Sequence, residues 1–282
     1  MNTNRLERIN SEIERYRAAQ PELETILALY QKVFDIQESA SSQEEPAPLI
    51  SDEDAIAKLA AGEYILKDIP FEPSAELFHQ TGLKLGRAFT QTAGEKFPTP
   101  ALLKLIENHP GGLSGFITAM LSDNLEYLAK FTQNTSFNPE TLLFFVTNLV
   151  SPFLTAQAKY YQPQVDLLGW DKNTCPFCGS SPRYSCLAKD NGARRLFCSL
   201  CHTQWNYRRI KCAYCSNANA EKLRHFYSAI FPYQRVDVCE KCKTYIKTTD
   251  ERRLGRECLP EVEDAVSIHL DSIAQNEGYQ PG

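Results

Sequence analysis

The sequence predicts an α+β protein in which an N-terminal all-α helical domain is followed by two small metal-binding β modules. Apolar residues recur at helical spacing in the first 160 or so residues, whereas all ten cysteines fall after residue 174. Strand-like alternation appears only in the cysteine-rich part. We expect a helical domain over 1–170, four-cysteine modules over 171–210 and 211–258, and a C-terminal helix and tail over 259–282.

Six or seven helices are expected in the first part. Apolar steps of three and four residues predict two helices on either side of Pro21, over 6–16 and 23–34. Residues 39–48, SASSQEEPAP, indicate a solvated loop. Five further helices are predicted over 52–66, 73–92, 100–107, 113–133 and 138–161, the last beginning at the N-cap residue Asn138.

No export or membrane signal is expected. The N-terminal residues lack the apolar core of a signal peptide. The longest apolar run, 142–154, contains polar residues and Pro152 and is shorter than the roughly 20 residues that span a bilayer, so it indicates a buried helix. We therefore expect a cytoplasmic protein, in which clustered thiols more often hold metal than form disulfides.

The helical part carries no pattern of catalysis. It lacks a nucleophile elbow, a phosphate-binding loop and paired carboxylates. Its two histidines, His79 and His109, are far apart in sequence and indicate surface or hydrogen-bonded side chains. We expect no catalytic residue and no enzyme.

Eight cysteines form four Cys-x-x-Cys pairs, and two such pairs can complete a tetrahedron around one metal ion. The predicted ligands of two ions are Cys175, Cys178, Cys198, Cys201, Cys212, Cys215, Cys239 and Cys242. Joining neighbouring pairs leaves 19 and 23 residues between them, against 33 and 37 for an interleaved arrangement. The shorter loops favour neighbours, although the entropy of loop closure depends only logarithmically on length and leaves the interleaved form open.

Each module is expected to combine a hairpin with knuckle turns. Strand patterns flank Asn191-Gly192 in the first module and residues 228–234 in the second. A thioredoxin-like role for CPFCG is disfavoured, because that pair has three companions and no βαβ setting. Gly179 can adopt positive φ after the first pair. The other three pairs end before His202, Ser216 and Lys243, where we expect slightly more strain.

The remaining candidates are expected to lie outside the metal sites. Cys186 and Cys258 are single cysteines, which are usually small buried apolar residues. His202 and His225 are not needed as ligands, because eight thiols suffice for two tetrahedra.

These motifs resemble those of the formate dehydrogenase accessory protein family, FdhE. The resemblance covers about residue 175 to Lys247 and consists of CPFCG, CSLC with Trp205 four residues on, RRIKCAYC and VCEKCKTYIK. It implies two rubredoxin-like modules whose eight paired cysteines are the metal ligands. It also implies a cytoplasmic protein that respiratory formate dehydrogenases need for activity, acting on the molybdenum- or tungsten-containing catalytic subunit before its Tat export.

The identity of the two ions stays open between iron and zinc, because four thiolates suit both. We favour iron, since the resemblance points to it and the first knuckle is rubredoxin-like. Zinc is the alternative, because it is the commoner structural ion.

The cysteine-rich region is basic. Residues 171–258 carry 17 Lys+Arg and 8 Asp+Glu, a surplus of +9, which eight thiolates with two divalent ions reduce to about +5. One hypothesis is that cations beside the ligand turns dock an acidic patch of the client enzyme. These cations are Arg194, Arg195, Arg208, Arg209 and Lys211. They could instead stabilise the thiolates or contact the acidic helical domain.

Two other functions stay open. A zinc ribbon with exposed cations and the aromatic residues Trp205, Tyr207 and Tyr214 could bind nucleic acid, although the chain as a whole is acidic, with a formal charge of −5. A rubredoxin-like electron-transfer protein would require reversible reduction of bound iron.

Overall fold

The computed structural model describes residues 3–93, 97–122, 126–133 and 138–282. Within these residues, eight α-helices precede residue 170, slightly more than the six or seven expected. They are α1 (Thr3–Ala19), α2 (Glu24–Gln43), α3 (Asp52–Ala60), α4 (Ala75–Ala93), α5 (Thr99–Glu107), α6 (Gly112–Leu121), α7 (Glu126–Gln133) and α8 (Pro139–Tyr161).

Helix α8 is the central helix of this part. Its N-cap, Asn138, accepts hydrogen bonds from the backbone N–H groups of Glu140 and Thr141, as expected of Asn before Pro at the first helical position. Among the described helices it alone is long and apolar enough to cross a membrane, but 67% of its most apolar stretch is buried inside the protein. The prediction of a buried helix over 142–154 is confirmed.

Three helix boundaries differ from the prediction, each for a local reason. Helix α2 continues to Gln43 through the expected loop, because Ala40 and Ser41 are buried. Helix α3 ends at Ala60, ahead of Gly62 at φ 74°. The helix expected over 113–133 is two helices, α6 and α7, and residues 123–125 of that prediction lie outside the described residues.

The cysteine-rich part forms one mixed sheet of seven strands. Both predicted hairpins are present, and the strand order is β3-β2-β1-β6-β5-β4, with β7 also paired to β6. The strands are β1 (Pro182–Leu187), β2 (Arg194–Cys198), β3 (Gln204–Tyr207), β4 (Leu223–Tyr227), β5 (Gln234–Cys239), β6 (Thr244–Asp250) and β7 (Gln280–Pro281). The α+β fold class is confirmed.

Parallel pairing of β1 with β6 joins the two hairpins. In this register Tyr184 lies opposite Lys247 and Leu187 opposite Asp250. The sheet therefore runs across the expected module boundary at residue 210, and the bounds of the four expected domains stay predictions.

The C-terminal residues pack between the sheet and the first helices. They form α9 (Glu251–Leu254), α10 (Pro260–Val266) and α11 (Ile268–Asn276). Val262 and Val266 of α10 share a buried apolar cluster with Ile9 and Ile13 of α1 and with Leu27 of α2. Burial of this surface attaches both chain ends to one core.

Candidate metal centres

Two groups of four thiols lie in the cysteine-rich part. The first contains Cys175, Cys178, Cys198 and Cys201, and the second contains Cys212, Cys215, Cys239 and Cys242. Within each group all sulfur atoms lie within 4.8 Å of one another. We call them cluster 1 and cluster 2. Each is built from neighbouring pairs in sequence, the arrangement favoured by loop length.

The sulfur spacing fits a tetrahedral ion. In cluster 1, Sγ of Cys175 lies 3.5 Å from that of Cys201, and Cys178 lies 3.4 Å from Cys198. In a regular tetrahedron with metal–sulfur bonds of about 2.3 Å, the sulfur–sulfur edge is about 3.8 Å. These two edges differ from that value by only a few tenths of an ångström, and all sulfur atoms of cluster 1 lie within 4.8 Å of one another.

Cluster 2 has the same geometry with slightly longer spacing. Both Cys212–Cys242 and Cys215–Cys239 Sγ atoms lie 3.7 Å apart. Thiolate donors in this arrangement suit zinc and iron, so both clusters could bind a metal ion and the donor set does not choose between the two.

All four knuckles turn through a left-handed residue immediately after the second cysteine. Gly179 has φ 81°, whereas His202, Ser216 and Lys243 have φ of 56° to 58°. This conformation costs a residue with a Cβ atom about 1 kcal/mol. The strain expected after the last three pairs is therefore present.

Backbone amides of the knuckles point at the sulfur atoms. The N–H of Phe177 donates to Cys175 Sγ at 3.4 Å, and that of Tyr214 donates to Cys212 Sγ at 3.4 Å. Such donors stabilise thiolate charge, which favours metal binding.

A second set of donors was missed by the sequence analysis. A hydroxyl or amide side chain stands two residues after the second cysteine of every pair. Thr203 Oγ1 lies 3.0 Å from Cys201 Sγ, and Thr244 Oγ1 lies 2.9 Å from Cys242 Sγ. The four side chains are Ser180, Thr203, Asn217 and Thr244. Their fixed offset is the sequence signal that could have revealed them.

The thiols titrate unequally. In cluster 1, burial raises the pKa of Cys175 and of Cys201 well above the ordinary value. In cluster 2, burial raises the pKa of Cys212 to about 12, while the hydrogen bonds from Thr244 overcome burial and lower the pKa of Cys242 to about 7. Because burial opposes ionisation, four thiolates in one dry site require a bound cation.

Cluster 1 is attached to the helical part through its backbone. The N–H of Ile65 donates to Pro176 O at 3.0 Å, and the N–H of Leu66 donates to Phe177 O at 2.9 Å. The Phe177 ring lies against Tyr161 at the end of α8, with centroids 6.1 Å apart. The residues after α3 therefore bind the CPFCG turn instead of extending the helix.

Cys186 and Cys258 are joined by a disulfide, so the expectation of two unpaired cysteines was wrong. Their expected burial is confirmed, at 0% and 4% exposure. Cys186 lies on β1, and the chain after α9 returns beside it, where Cys258 N donates to Glu251 Oε1. Their separation of 72 positions in the sequence concealed the contact.

Neither histidine of the β modules belongs to a cluster. His202 lies between α8 and α10, with Nε2 2.9 Å from Ser151 Oγ and Nδ1 3.0 Å from Glu261 Oε1. His225 lies on the edge strand β4.

The five predicted docking cations lie in different environments. Arg194 is buried, and Arg195 donates to the buried Glu251 at 2.5 Å. Lys211 Nζ lies 3.4 Å from Asp171 Oδ1.

Arg208 and Arg209 are exposed, and Arg208 Nη2 lies 3.0 Å from Asp171. Docking through any of the five residues stays a prediction.

Comparison with known protein families finds a match that includes cluster 1. The model of the FdhE central domain matches residues 174–209, which contain cluster 1. The chain is 35% identical over 158 residues to the "Protein FdhE homolog" of Aquifex aeolicus, an alignment that covers 55% of this chain and 54% of that protein. The chain is therefore similar to an FdhE protein over about half of its length.

Two further proteins are similar to this chain. The "Protein FdhE" of Escherichia coli O1:K1 is 32% identical over 146 residues, 46% of this chain and 45% of the relative. The chain thus spans about half the length of the curated FdhE relatives that it matches. A crystal structure of the FdhE protein from Pseudomonas aeruginosa has the same fold, with a TM-score of 0.60 and 22% identity over 90% of this chain and 85% of that one.

Proposed function

We propose that this chain is a maturation factor for respiratory formate dehydrogenase and itself catalyses no reaction. It binds the enzyme's catalytic subunit in the cytoplasm, before Tat export, through the metal-stabilised sheet. The observation that carries the proposal is the pair of four-cysteine clusters within a fold shared with an FdhE protein over 90% of the chain.

The eight paired cysteines are proposed as the ligands of two ions, with iron favoured over zinc. When bound, the ion supplies either scaffolding alone, if it is zinc, or one-electron chemistry as well, if it is iron. The residues of the chain hold it with thiolates and with the knuckle N–H donors. Aerobically purified protein with visible sulfur-to-iron absorption and two irons per chain supports iron, whereas a colourless sample with two zinc ions contradicts it.

The exposed pair Arg208 and Arg209 is the best candidate for docking an acidic surface of the client. Both follow β3, directly before the first ligand of cluster 2. Charge reversal of both residues is expected to weaken client binding and reduce its salt dependence. A matched reversal at Lys241, also exposed and inside a ligand turn, is the control. Equal binding by all three proteins would contradict docking at this pair.

The nucleic-acid alternative is less well supported by the described side chains. Trp205 and Tyr207 are buried, and their polar atoms donate inward to Lys172 O and Cys212 O. They are not free to stack on bases. A titration with single-stranded nucleic acid at moderate salt tests this alternative, and submicromolar binding would favour it.

The main test is a pull-down of an exported formate dehydrogenase catalytic subunit with the purified full chain. The subunit is offered with and without its signal sequence. Capture of the subunit, together with restored formate dehydrogenase activity when the chain is expressed in a strain lacking its own FdhE protein, supports the proposal. Absence of both results would overturn it.

A further inference from the structure

A cavity with several basic side chains lies beside cluster 2, and the ligands Cys212 and Cys239 form part of its lining. It has a volume of about 370 Å³ and is bounded by β2, β4, β5 and the turn that carries Cys212. Five cations line it, namely Arg194, Arg209, Lys211, Arg224 and Arg235. Sites for small molecules typically occupy about 300 to 1,000 Å³.

Arg194 is a buried guanidinium with an unused donor in this cavity. Its residue is 5% exposed. Nε donates to Ser185 Oγ at 2.9 Å and Nη1 to Lys211 O at 3.0 Å, which fixes the plane of the group. Nη2 is buried and has no hydrogen-bond partner among the described residues. An unpaired buried donor of this kind costs about 1 to 3 kcal/mol unless a ligand satisfies it.

The carboxylate nearest to Arg194 is already engaged. Asp237 Oδ2 lies 3.9 Å from Arg194 Nη2, too far for a hydrogen bond. The same oxygen accepts from Thr248 Oγ1 at 2.7 Å and from Arg235 Nη2 at 3.3 Å. Asp237 thus holds Arg235 in place, and Nη2 of Arg194 keeps only a long ion pair with it and no hydrogen bond among the described residues.

Two cations of the lining are paired outward. Lys211 lies 3.4 Å from Asp171, and Arg224 lies 3.7 Å from Glu240.

With those two set aside, Arg194, Arg209 and Arg235 share the lining with Asp237 and with the cluster 2 ligands Cys212 and Cys239. The Nη2 of Arg194 is the donor of this lining that an anion would satisfy. A planar guanidinium held by two other bonds suits the oxygens of a phosphate group.

The remaining wall is apolar. Leu223, Val238 and Ile246 line the cavity together with Ile210, which is 61% exposed at its rim. A bare inorganic anion would leave this wall uncovered, whereas an organic group attached to the anion would cover it.

We propose that this basic cavity binds a small organic phosphate, with its phosphate on Arg194 and its apolar part on Leu223 and Ile246. The proposal does not depend on the docking of a formate dehydrogenase subunit, although Arg194, Arg209 and Lys211 belong to both the cavity lining and the predicted docking cations.

The test is calorimetric titration of the metal-loaded full chain at constant ionic strength, with phenyl phosphate, inorganic phosphate and phenol as probes. Saturable binding of phenyl phosphate, at least tenfold tighter than inorganic phosphate and without measurable binding of phenol, supports the proposal. Binding of phenol alone, equal binding of the two phosphates, or no saturable binding would overturn it.

Variants locate the site. Arg194→Lys keeps the charge but loses the planar guanidinium group with its several N–H donors. It should weaken phenyl phosphate binding at least tenfold. The exposed Arg209→Ala, which is less disruptive to folding, should weaken it severalfold. Lys241→Ala carries the same loss of charge beside cluster 2 but outside the lining and should bind normally. Unchanged binding in Arg209→Ala, or equal losses in Arg209→Ala and Lys241→Ala, would contradict this location whether or not Arg194→Lys folds.

Discussion

Cluster 1 and cluster 2 have the same ligands and nearly the same spacing but lie in different surroundings. All four cysteines of cluster 1 are buried and belong to the main apolar core, together with residues of α4, α5 and α8. In cluster 2, Cys215 and Cys242 are half-buried. The same motif can thus be part of a core or part of a surface, depending on what packs around it. Cluster 1 is suited to holding the helical part on the sheet, and cluster 2 is suited to contact with other molecules.

The largest effect on stability is expected when one ligand of cluster 1 is removed. Cys178→Ser should abolish the cooperative fold, because metal binding by small modules contributes on the order of 10 kcal/mol and cluster 1 lies in the core. Cys215→Ser, the matched change in cluster 2, should leave the helices and one ion per chain. Elemental analysis and thermal unfolding by circular dichroism measure both. Equal damage by the two variants would show that the clusters are structurally equivalent.

Removal of metal by a chelator tests the difference between the two clusters through their rates of ion release. Ion release should occur in two phases separated by at least about tenfold in rate, because the core around cluster 1 must open before its ion is accessible. The fast phase should be missing in Cys215→Ser. A single phase for the unmodified protein would contradict the difference in burial.

Glu263 tests how the sheet that carries cluster 2 is attached to the helices. This buried side chain on α10 accepts hydrogen bonds from Tyr16 of α1 at 2.8 Å and from Gln234 of β5 at 2.7 Å. Burial raises its pKa from 4.5 to about 7. The folded state therefore holds a proton that the unfolded state releases, and this contribution to stability is lost as pH rises from about 4.5 through 7.

Glu263→Gln keeps an acceptor for both donors and cannot ionise. Relative to the unmodified protein, its free energy of unfolding should rise with pH, reaching a gain of roughly 2 to 3 kcal/mol at pH 8. Glu257→Gln, at an exposed carboxylate paired with Arg8, is the control and should show no such trend. Denaturant unfolding at several pH values measures the difference, and parallel curves for all three proteins would refute the burial argument.

The smallest effect concerns the knuckles. Ser216 of cluster 2 adopts the left-handed conformation that Gly179 adopts in cluster 1. Ser216→Gly should raise stability by about 1 kcal/mol, whereas Ser216→Ala removes the hydroxyl without relieving the backbone and should not. Thermal unfolding of the two variants separates the contributions. Stabilisation by alanine equal to that by glycine would show that the strain is not in the backbone.

Local signals predicted the local parts of this fold. Asn138 as an N-cap, Asn191-Gly192 between two strands and the grouping of neighbouring cysteine pairs depend on a few adjacent residues. The features that the sequence did not predict depend on contacts between residues that are far apart in the sequence. Burial of Ala40 and Ser41 extends α2, and the return of the chain after α9 places Cys258 beside Cys186. Neither contact has a periodic signal.

The candidate metal sites, like the fold, could be predicted only where the signal is local. The thiols follow from spacing, and the threonines beside them could have been found from their constant offset. The environments of the basic residues could not be predicted from the sequence. The burial of Arg194 and the outward pairing of Lys211 are set by how the two hairpins meet.

The parallel register of β1 and β6 has a consequence for biosynthesis. Tyr184 pairs with Lys247, so more than sixty residues separate the partners that join the hairpins. A chain emerging from the ribosome can complete the first hairpin and its knuckles early, but the sheet closes only after residue 250 has left the exit tunnel. Until then the inner edge of β1 is an unpaired strand that a neighbouring nascent chain can reach, which makes metal supply and chaperone protection most valuable during the last part of translation.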